Sequence, residues 1–212
     1  MTQSRRFTSP LFAGLTALML AGCSVFGGKA AEETSYSVLE RDGDVEIRQY
    51  EDYAIARTFV TASYDDMDRE AFGRLFDYIT GDNTTQGEIA MTAPVLMAPA
   101  GEEIAMTAPV LMEEGKEGWW MAFVLPEGLD AASAPVPTDP QVEVINIEGP
   151  RMAALQYAGT MSEATNTAEA QRLRDWIATR GLDGAAGYQI AGYNPPWTLP
   201  FLRRNEILIE LR

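Results

Sequence analysis

The stretch Tyr36-Ser-Val-Leu-Glu-Arg-Asp-Gly-Asp-Val-Glu-Ile-Arg-Gln-Tyr50 decides the fold class. Apolar and polar residues alternate on both sides of Asp42-Gly43, and a turn dipeptide between two alternating runs predicts a β-hairpin. A further strand is predicted at Ala54 to Val60, and helical spacing of apolar residues predicts an amphipathic helix over residues 65 to 80. The domain therefore opens with strands that lead into a helix.

The same order of elements returns in the C-terminal part of the chain. A strand at Trp119–Leu125 ends the first part; strands are then predicted at Val142–Ile147, Arg151–Ala158, Tyr188–Tyr193 and Asn205–Leu211, and a second helix capped by Asn166-Thr-Ala-Glu169 runs to about Arg180. Pro126 to Gln141 contains four prolines and predicts a linker. We expect an α+β domain over residues 36–212, with two pseudo-symmetric ββαββ halves, about 36–126 and 142–212, sharing a distorted antiparallel barrel or sheet flanked by two helices.

A decapeptide occurs twice between the first helix and the Trp119 strand. Its copies are Glu88-Ile-Ala-Met-Thr-Ala-Pro-Val-Leu-Met97 and Glu103-Ile-Ala-Met-Thr-Ala-Pro-Val-Leu-Met112. Each copy must interrupt a central strand at its proline, because Pro94 and Pro109 have no backbone N–H to donate to a sheet.

The N-terminus has the layout of a bacterial export signal. Arg5 and Arg6 precede an apolar run, Leu11 to Met19, that is much shorter than the ~20 residues of a membrane-spanning helix. Leu20-Ala-Gly-Cys23 then resembles the bacterial lipobox, which implies cleavage after residue 22 and lipid on Cys23. The alternative is an ordinary signal peptide in which a cysteine happens to lie near the cleavage site.

The lipobox interpretation sets the expected location. We predict a signal peptide at 1–22, a lipidated cysteine with a flexible tether at 23–35, and a domain that faces the periplasm. The outer membrane is favoured over the inner one, because Ser24 follows the cysteine where some bacteria place a retention aspartate.

Composition excludes several classes of partner and reaction. Removing residues 1–22 takes away Arg5 and Arg6 and no acid, so the formal net charge changes from −15 to −17. Such a domain repels nucleic acids and anionic membrane surfaces, which leaves the lipid as its only expected membrane attachment. With no histidine and one cysteine, the chain cannot build a Ser-His-Asp triad, a Cys-His dyad or most zinc sites, and no enzyme activity is expected.

Three stretches resemble the SOUL heme-binding family. They are Tyr36-Ser-Val-Leu39 leading into Glu46-Ile-Arg-Gln-Tyr50, both decapeptide copies, and Tyr193-Asn-Pro-Pro-Trp-Thr-Leu-Pro-Phe-Leu-Arg-Arg-Asn-Glu206. The resemblance covers essentially the whole mature domain. It implies a distorted barrel of two pseudo-symmetric halves with flanking helices, and a heme or another porphyrin in an apolar cleft, in some members without a defined axial ligand.

The resemblance also implies that the first helix lines the cleft. An aromatic wall with a guanidinium rim suits a flat ligand with carboxylates. In the alternative interpretation the helix stripe is core, the closing aromatic residues pack against the barrel end, and the arginines pair with acids. The predicted ligand contacts are Met67, Ala71, Arg74, Leu75 and Tyr78, with Arg69 nearby on the helix, and Trp197, Phe201, Arg203 and Arg204 in the closing stretch.

The axial ligand is unknown. Since histidine is absent, only Met or Tyr is available to the iron, and the repeated Met91, Met97, Met106 and Met112 either ligate it or fill gaps in the core. We expect a lipid-anchored envelope protein that sequesters or delivers heme, another tetrapyrrole or a similar flat apolar molecule. The alternative is an envelope protein–protein interaction module with an acidic surface and no small-molecule ligand.

Overall fold

The computed structural model of the chain describes residues 32–61, 63–84, 104, 106–115, 118–195 and 197–212. These residues belong to one compact unit, Ala31–Arg212. The predicted signal peptide, Cys23, most of the predicted tether and the first decapeptide copy lie outside the described residues. Within the described part, no helix combines the length and the apolar character needed to cross a bilayer.

The described residues form a curled antiparallel sheet with two helices packed on one face, which confirms the predicted α+β class. The predicted hairpin is also confirmed, with Gly43 and Asp44 as the loop between the paired Asp42 and Val45, and Gly43 has a φ of +61° that favours glycine. The strands of the sheet are β1 (Tyr36–Asp42), β2 (Val45–Tyr50), β3 (Tyr53–Val60), β4 (Val110–Glu114), β5 (Trp119–Val124), β6 (Val142–Ile147), β7 (Arg151–Tyr157), β8 (Gln189–Gly192) and β9 (Asn205–Glu210), and the helices are α1 (Tyr64–Ile79) and α2 (Glu163–Thr179).

The strand order shows how the two halves are joined. The order is β6-β3-β5-β4-β8-β9-β7-β2-β1, so β3-β5-β4 of the first half mirrors β7-β9-β8 of the second half. The halves meet where β4 pairs with β8. One strand of each half lies beside the other half, because β2, which precedes β3, pairs with β7, and β6, which precedes β7, pairs with β3. The predicted pseudo-symmetry is therefore present, and the halves are interlocked by exchanged strands.

Both faces of the sheet are apolar. On the helix side, Ile47, Leu155 and Ile207 pack with Leu75 of α1 and Leu173 of α2 in the main core. On the opposite side, a second cluster contains Leu111, Val124 and Leu208. Because side chains alternate between faces, the central strands are buried along nearly their whole length.

The predicted cap of α2 was wrong. The helix begins at Glu163, and Ser162 is its N-cap, with the Oγ accepting a hydrogen bond from the Thr165 N–H at 3.2 Å. Asn166 lies inside the first turn and is fully buried. Its amide donates to the Tyr64 hydroxyl and accepts from the Tyr157 hydroxyl. The two tyrosines satisfy the hydrogen-bonding groups of this buried amide, so Asn166 links side chains in the core and does not cap the helix.

The prediction of a linker at 126–141 was wrong, because this proline-rich segment is hydrogen-bonded to the domain. Val136–Pro137 pairs with Asn83–Thr84 in a short antiparallel ribbon, and Thr138 donates backbone and side-chain hydrogen bonds to the Asp82 carbonyl. A two-stranded ribbon accepts proline because its outer edge needs no donor. At the N-terminus, Glu32–Glu33 pairs in parallel with Thr107–Ala108, so order begins before Tyr36.

The second decapeptide copy is interrupted at its proline as predicted. Thr107–Ala108 ends before Pro109, and β4 starts directly after it at Val110.

Candidate functional site

The predicted ligand stripe of α1 forms part of the core. Ala71, Leu75 and Tyr78 are all fully buried between the helix and the sheet. The Tyr78 hydroxyl donates to the Pro135 carbonyl at 2.9 Å, and burial raises the pKa of Tyr78 to about 12. The side chain of Met67 lies outside the described part of the chain. This side of the helix therefore packs in the core and stabilises the fold.

Arg74 ties α1 to the neighbouring strand. Its guanidinium donates at 3.4 Å to the Thr58 hydroxyl and to the Phe59 carbonyl. It also pairs with Glu70 one turn earlier and lies 3.9 Å from Asp139. Because these partners already surround the guanidinium, Arg74 is poorly placed to bind a ligand carboxylate.

The opposite side of α1 presents an aromatic pair. Phe72 and Phe76 are 39% and 42% exposed, and their rings are stacked with centroids 5.9 Å apart and planes 14° apart. Phe72 also meets the buried Phe123 edge to face at 5.2 Å. Arg69 is exposed three positions before Phe72, so the i, i+3, i+7 spacing puts it on the same helix face. A Cβ added at Gly73 meets no atom within 4 Å, so the space above this helix turn is open.

A row of paired residues runs from the buried Phe123, which Phe72 of α1 contacts, across the junction of the two halves. Phe123 pairs with Val110, and Val110 pairs with Gly192. Neighbouring strands lie ~4.8 Å apart, so Gly192 is about 10 Å from Phe123 along this row. A Cβ at Gly192 would lie 3.1 Å from the Met161 methyl group, so this position must stay small. The row leads directly into the β8–β9 connection.

That connection, residues 193–204, projects apolar side chains into solvent. Trp197 is 83% and Phe201 71% exposed, so the expectation that they pack against the barrel end was wrong. The backbone beneath them is fixed, because Pro200 starts a short 3₁₀ turn and its carbonyl accepts from the Gly159 N–H at 2.9 Å. Among the described residues, the ring contacts of Phe72 and Phe76 are with each other and with Phe123, and not with Trp197 or Phe201.

The two arginines of the closing stretch have different surroundings. The Arg203 Nε donates to the Thr198 carbonyl at 2.8 Å. Arg204 contacts Glu206 at 3.0 Å and Glu33 at 2.9 Å, and its guanidinium lies 3.9 Å from the centre of the Tyr193 ring. For Arg204, the alternative in which the arginines pair with acids is therefore confirmed.

A buried charge network lies on the face of the sheet opposite the helices. Arg48 is 2% exposed and binds the fully buried Glu206 through two bonds of 2.7 and 3.0 Å. Arg48 also donates to Glu46 at 2.7 Å, and the Tyr193 hydroxyl donates to Glu206 at 2.8 Å. Burial alone would raise the pKa of Glu206, but its contacts with Arg48 and Arg204 outweigh burial and lower that pKa.

This network explains two of the stretches that resemble the SOUL family. Glu46, Arg48 and Tyr50 come from one stretch, and Tyr193 and Glu206 come from the other, yet they meet in a single cluster. The sequence did not reveal that they meet. Its only signal was that Glu46 and Arg48 point to one face of a strand that is otherwise apolar.

Neither the methionines nor the cavities form an evident porphyrin pocket in the described residues. Met112 is in the core and Met106 is exposed, while Met91 and Met97 lie outside those residues. A cleft of about 70 Å³ lined by Thr34, Tyr53 and Leu129, among others, is too small for a ligand that needs roughly 300 Å³ or more. No group of three His, Cys, Asp or Glu side chains in the described residues is arranged to hold a metal ion.

Comparison with known proteins decides the family. The family model described as SOUL heme-binding protein matches residues 31–210. The chain belongs to the SOUL heme-binding family. Heme-binding protein 1 of Xenopus tropicalis is 30% identical over 189 residues, which cover 87% of this chain and 93% of the relative. Heme-binding protein 1 of Mus musculus is 28% identical over 190 residues, which cover 87% and 94%.

Solved structures with low sequence identity share the fold of this SOUL domain. The C-terminal domain of EcmrR has a TM-score of 0.51 at 10% identity, over 84% of this chain and 98% of that domain. An uncharacterized conserved protein from Listeria innocua has a TM-score of 0.52 at 14% identity, over 80% of this chain and 92% of that chain. At these identities the similarity concerns the fold alone.

Proposed function

We propose that this SOUL protein is held in the bacterial cell envelope by lipid on Cys23 and binds heme or another tetrapyrrole there without catalysis. Family membership and the names of the relatives support the ligand class. The lipobox-like Leu20-Ala-Gly-Cys23, preceded by a basic and an apolar segment, supports the anchor. The domain then faces the periplasm, on the outer membrane in preference to the inner one.

The observation that carries the ligand site is the exposed face of α1. Phe72 and Phe76 offer a nearly parallel pair of ring faces on a surface that would otherwise be expected to carry polar groups. A flat porphyrin can stack on the outer face of one ring or contact the edges of both, with dispersion contacts in either case. Gly73 leaves the helix backbone between them uncovered, so the macrocycle can approach it closely.

Arg69 provides the charge that this surface needs. It is exposed on the same helix face, and a guanidinium binds a propionate carboxylate through two parallel hydrogen bonds. Arg74 and Arg204 are held by protein partners instead. Because the chain has no histidine, we propose that contacts with the macrocycle and propionates supply most of the affinity. The ring contacts of Phe72 do not extend to Trp197 or Phe201 in the described residues, so these two are not included in the surface.

Titration of the domain from Ala31 onward with hemin tests the ligand. We expect a Soret shift with an affinity of roughly micromolar, as for a surface site without a strong axial bond. Phe76→Ala should weaken binding by roughly 3–10-fold, the value of one aromatic stacking contact. Leu39→Ala, at an exposed position of β1, is the matched control and should bind like the wild type. No Soret shift at tens of micromolar hemin would contradict the heme proposal.

Arg69→Gln tests the propionate contact. The variant should lose affinity for a dicarboxylate porphyrin and keep its affinity for the dimethyl ester, because only the carboxylates pair with a guanidinium. Equal loss for both ligands would rule out this role.

For the anchor, Cys23→Ser should abolish incorporation of labelled palmitate and release the protein from the membrane fraction, and persistent labelling would exclude lipidation of Cys23.

A further inference from the structure

The β8–β9 connection, residues 193–204, concentrates apolar surface at one place. Trp197, Leu199, Phe201 and Leu202 are 83%, 55%, 71% and 63% exposed, and all four lie within six consecutive positions. Isolated exposed apolar residues are normal on soluble proteins, but a contiguous cluster marks a contact surface. The following paragraphs call these four residues the apolar tip.

The apolar tip is held in its exposed position by backbone hydrogen bonds. The Thr198 N–H donates to the Pro195 carbonyl at 3.0 Å, and the Leu202 N–H donates to the Leu199 carbonyl at 2.9 Å. The connection is also fastened to the segment before α2 through the 2.9 Å bond from Gly159 to Pro200. Exposure of the tip therefore requires no rearrangement, and little conformational entropy is lost when it is covered.

The charge around the apolar tip differs from that of the rest of the chain. Between Asp183 and Glu206 the sequence contains no acid and two arginines, whereas the whole chain carries 31 acids and a formal charge of −15. The connection itself carries no carboxylate, and Arg204 offsets the neighbouring Glu33 and Glu206, so a phosphate-bearing surface meets less repulsion at the tip than at an acidic part of the surface. Tryptophan and phenylalanine beside arginine are typical of protein segments at the boundary between lipid headgroups and acyl chains.

The start of the domain lies at the base of this connection. Glu33 forms an ion pair of 2.9 Å with Arg204, the last residue of the connection. Glu33 is ten positions after Cys23, and an extended chain of that length spans at most about 35 Å. Lipid on Cys23 would therefore keep this end of the domain within reach of the bilayer.

We propose that the apolar tip inserts into the interfacial region of a phospholipid bilayer and forms a second membrane contact beside the lipid anchor. The direction in which the tip faces rests on the proposed lipidation of Cys23, whereas the affinity of the tip for lipid does not. Two contacts at one end fix the orientation of the domain on the membrane.

Vesicle binding by the unlipidated domain from Ala31 onward tests the insertion, because this domain is a compact unit that lacks Cys23. We expect it to sediment with neutral phosphatidylcholine vesicles, and lipids brominated near the headgroup should quench its tryptophan fluorescence. Trp197→Ser with Phe201→Ser should reduce partitioning at least about 10-fold, since two large side chains leave the lipid. The matched control, Val38→Ser with Leu39→Ser, removes two exposed apolar residues from β1 and should partition like the wild type.

Hemin titration of the same tip variant separates this inference from the proposed function. Lost vesicle binding with unchanged hemin affinity supports insertion. Unchanged vesicle binding with lost hemin affinity makes the tip a porphyrin wall and overturns the inference, while the ligand proposal stands. Absence of vesicle binding by the wild-type domain also overturns it. Circular dichroism of the variant checks that it folds, as expected for changes at exposed positions.

Discussion

At the residue scale, Glu206 depends on its partners to keep a negative charge in the interior. Arg48, Arg204 and Tyr193 together donate four hydrogen bonds of 2.7 to 3.1 Å to its carboxylate. A buried ion pair of this kind contributes modestly as a whole, but removal of one member leaves an uncompensated charge. The network therefore specifies how the closing strand β9 docks beside the rest of the barrel.

Glu206→Gln should lower the free energy of unfolding by about 3 kcal/mol at pH 7, because the buried Arg48 loses its two-bond carboxylate partner and keeps only Glu46. The pKa of Glu206 is lowered from its ordinary 4.5 in the folded state. Its charge therefore stabilises the fold above pH 4.5, and this contribution is lost as the pH falls through the lower folded pKa. Urea unfolding at several pH values should show the difference between wild type and variant shrinking on acidification.

The control for this measurement is Glu143→Gln. Glu143 pairs with Arg57 at 2.7 Å near the surface, where such a pair is worth roughly 0–1 kcal/mol. A difference between wild type and Glu206→Gln that stays constant down to pH 3 would show that the charge of Glu206 is not what stabilises the network.

At the scale of the element, α1 has one buried face and one exposed face. One face buries Ala71, Leu75 and Tyr78 against β3 and β5, and the other exposes Phe72 and Phe76. Gly73 lies on the second face in the interior of the helix, where a glycine is unfavourable by about 1 kcal/mol relative to alanine. A residue that weakens the helix at an open position is consistent with a surface that a flat ligand covers.

Gly73→Leu should separate stability from binding. The leucine meets no clash at Cβ and favours the helix, so the melting temperature should rise by about 2–4 °C. The same side chain should hold a porphyrin away from the helix and reduce hemin affinity about 10-fold, as expected when stacking on Phe72 and Phe76 is lost. Calorimetry and hemin titration measure the two effects, and Gly73→Ala provides the smaller step. A stabilised variant with unchanged hemin affinity would exclude this face as the site.

At the scale of the whole molecule, the exchanged strands make each half dependent on the other. Without the second half, β2 has no β7 to pair with, and without the first half β6 has no β3. Both strands contribute buried residues, such as Ile47 of β2 and Val142 of β6, to one shared core. The domain should therefore fold as a single cooperative unit.

Separate fragments 31–141 and 142–212 should each lack a cooperative thermal transition, because each exposes an unpaired strand edge and half of the core. Mixing them should restore the sheet, and circular dichroism with size-exclusion chromatography should detect a 1:1 complex. A cooperative transition in either isolated fragment would show that strand exchange is not required for stability.

The sequence predicted the elements well but did not separate core residues of α1 from exposed ones. Alternation around Asp42-Gly43 gave the β1–β2 hairpin, and helical spacing gave α1 within a residue at each end. The same spacing marked Ala71, Leu75 and Tyr78 as ligand contacts, although they are core, because both interpretations require an apolar stripe. Phe72 and Phe76 belong to the same apolar pattern, and only packing on β5 shows that they lie on its exposed margin.

The sequence by itself determined the strands and helices, the order of the two ββαββ repeats and the resemblance to the SOUL family, since these depend on residues close together in the chain. The tertiary structure decided the exchange of β2 and β6, the exposure of Trp197 and the engagement of Arg204 with Glu206. These features join distant residues, as Arg48 and Glu206 do across 158 positions. The periodicity of the sequence shows which residues share a face, and only the folded structure determines what that face contacts.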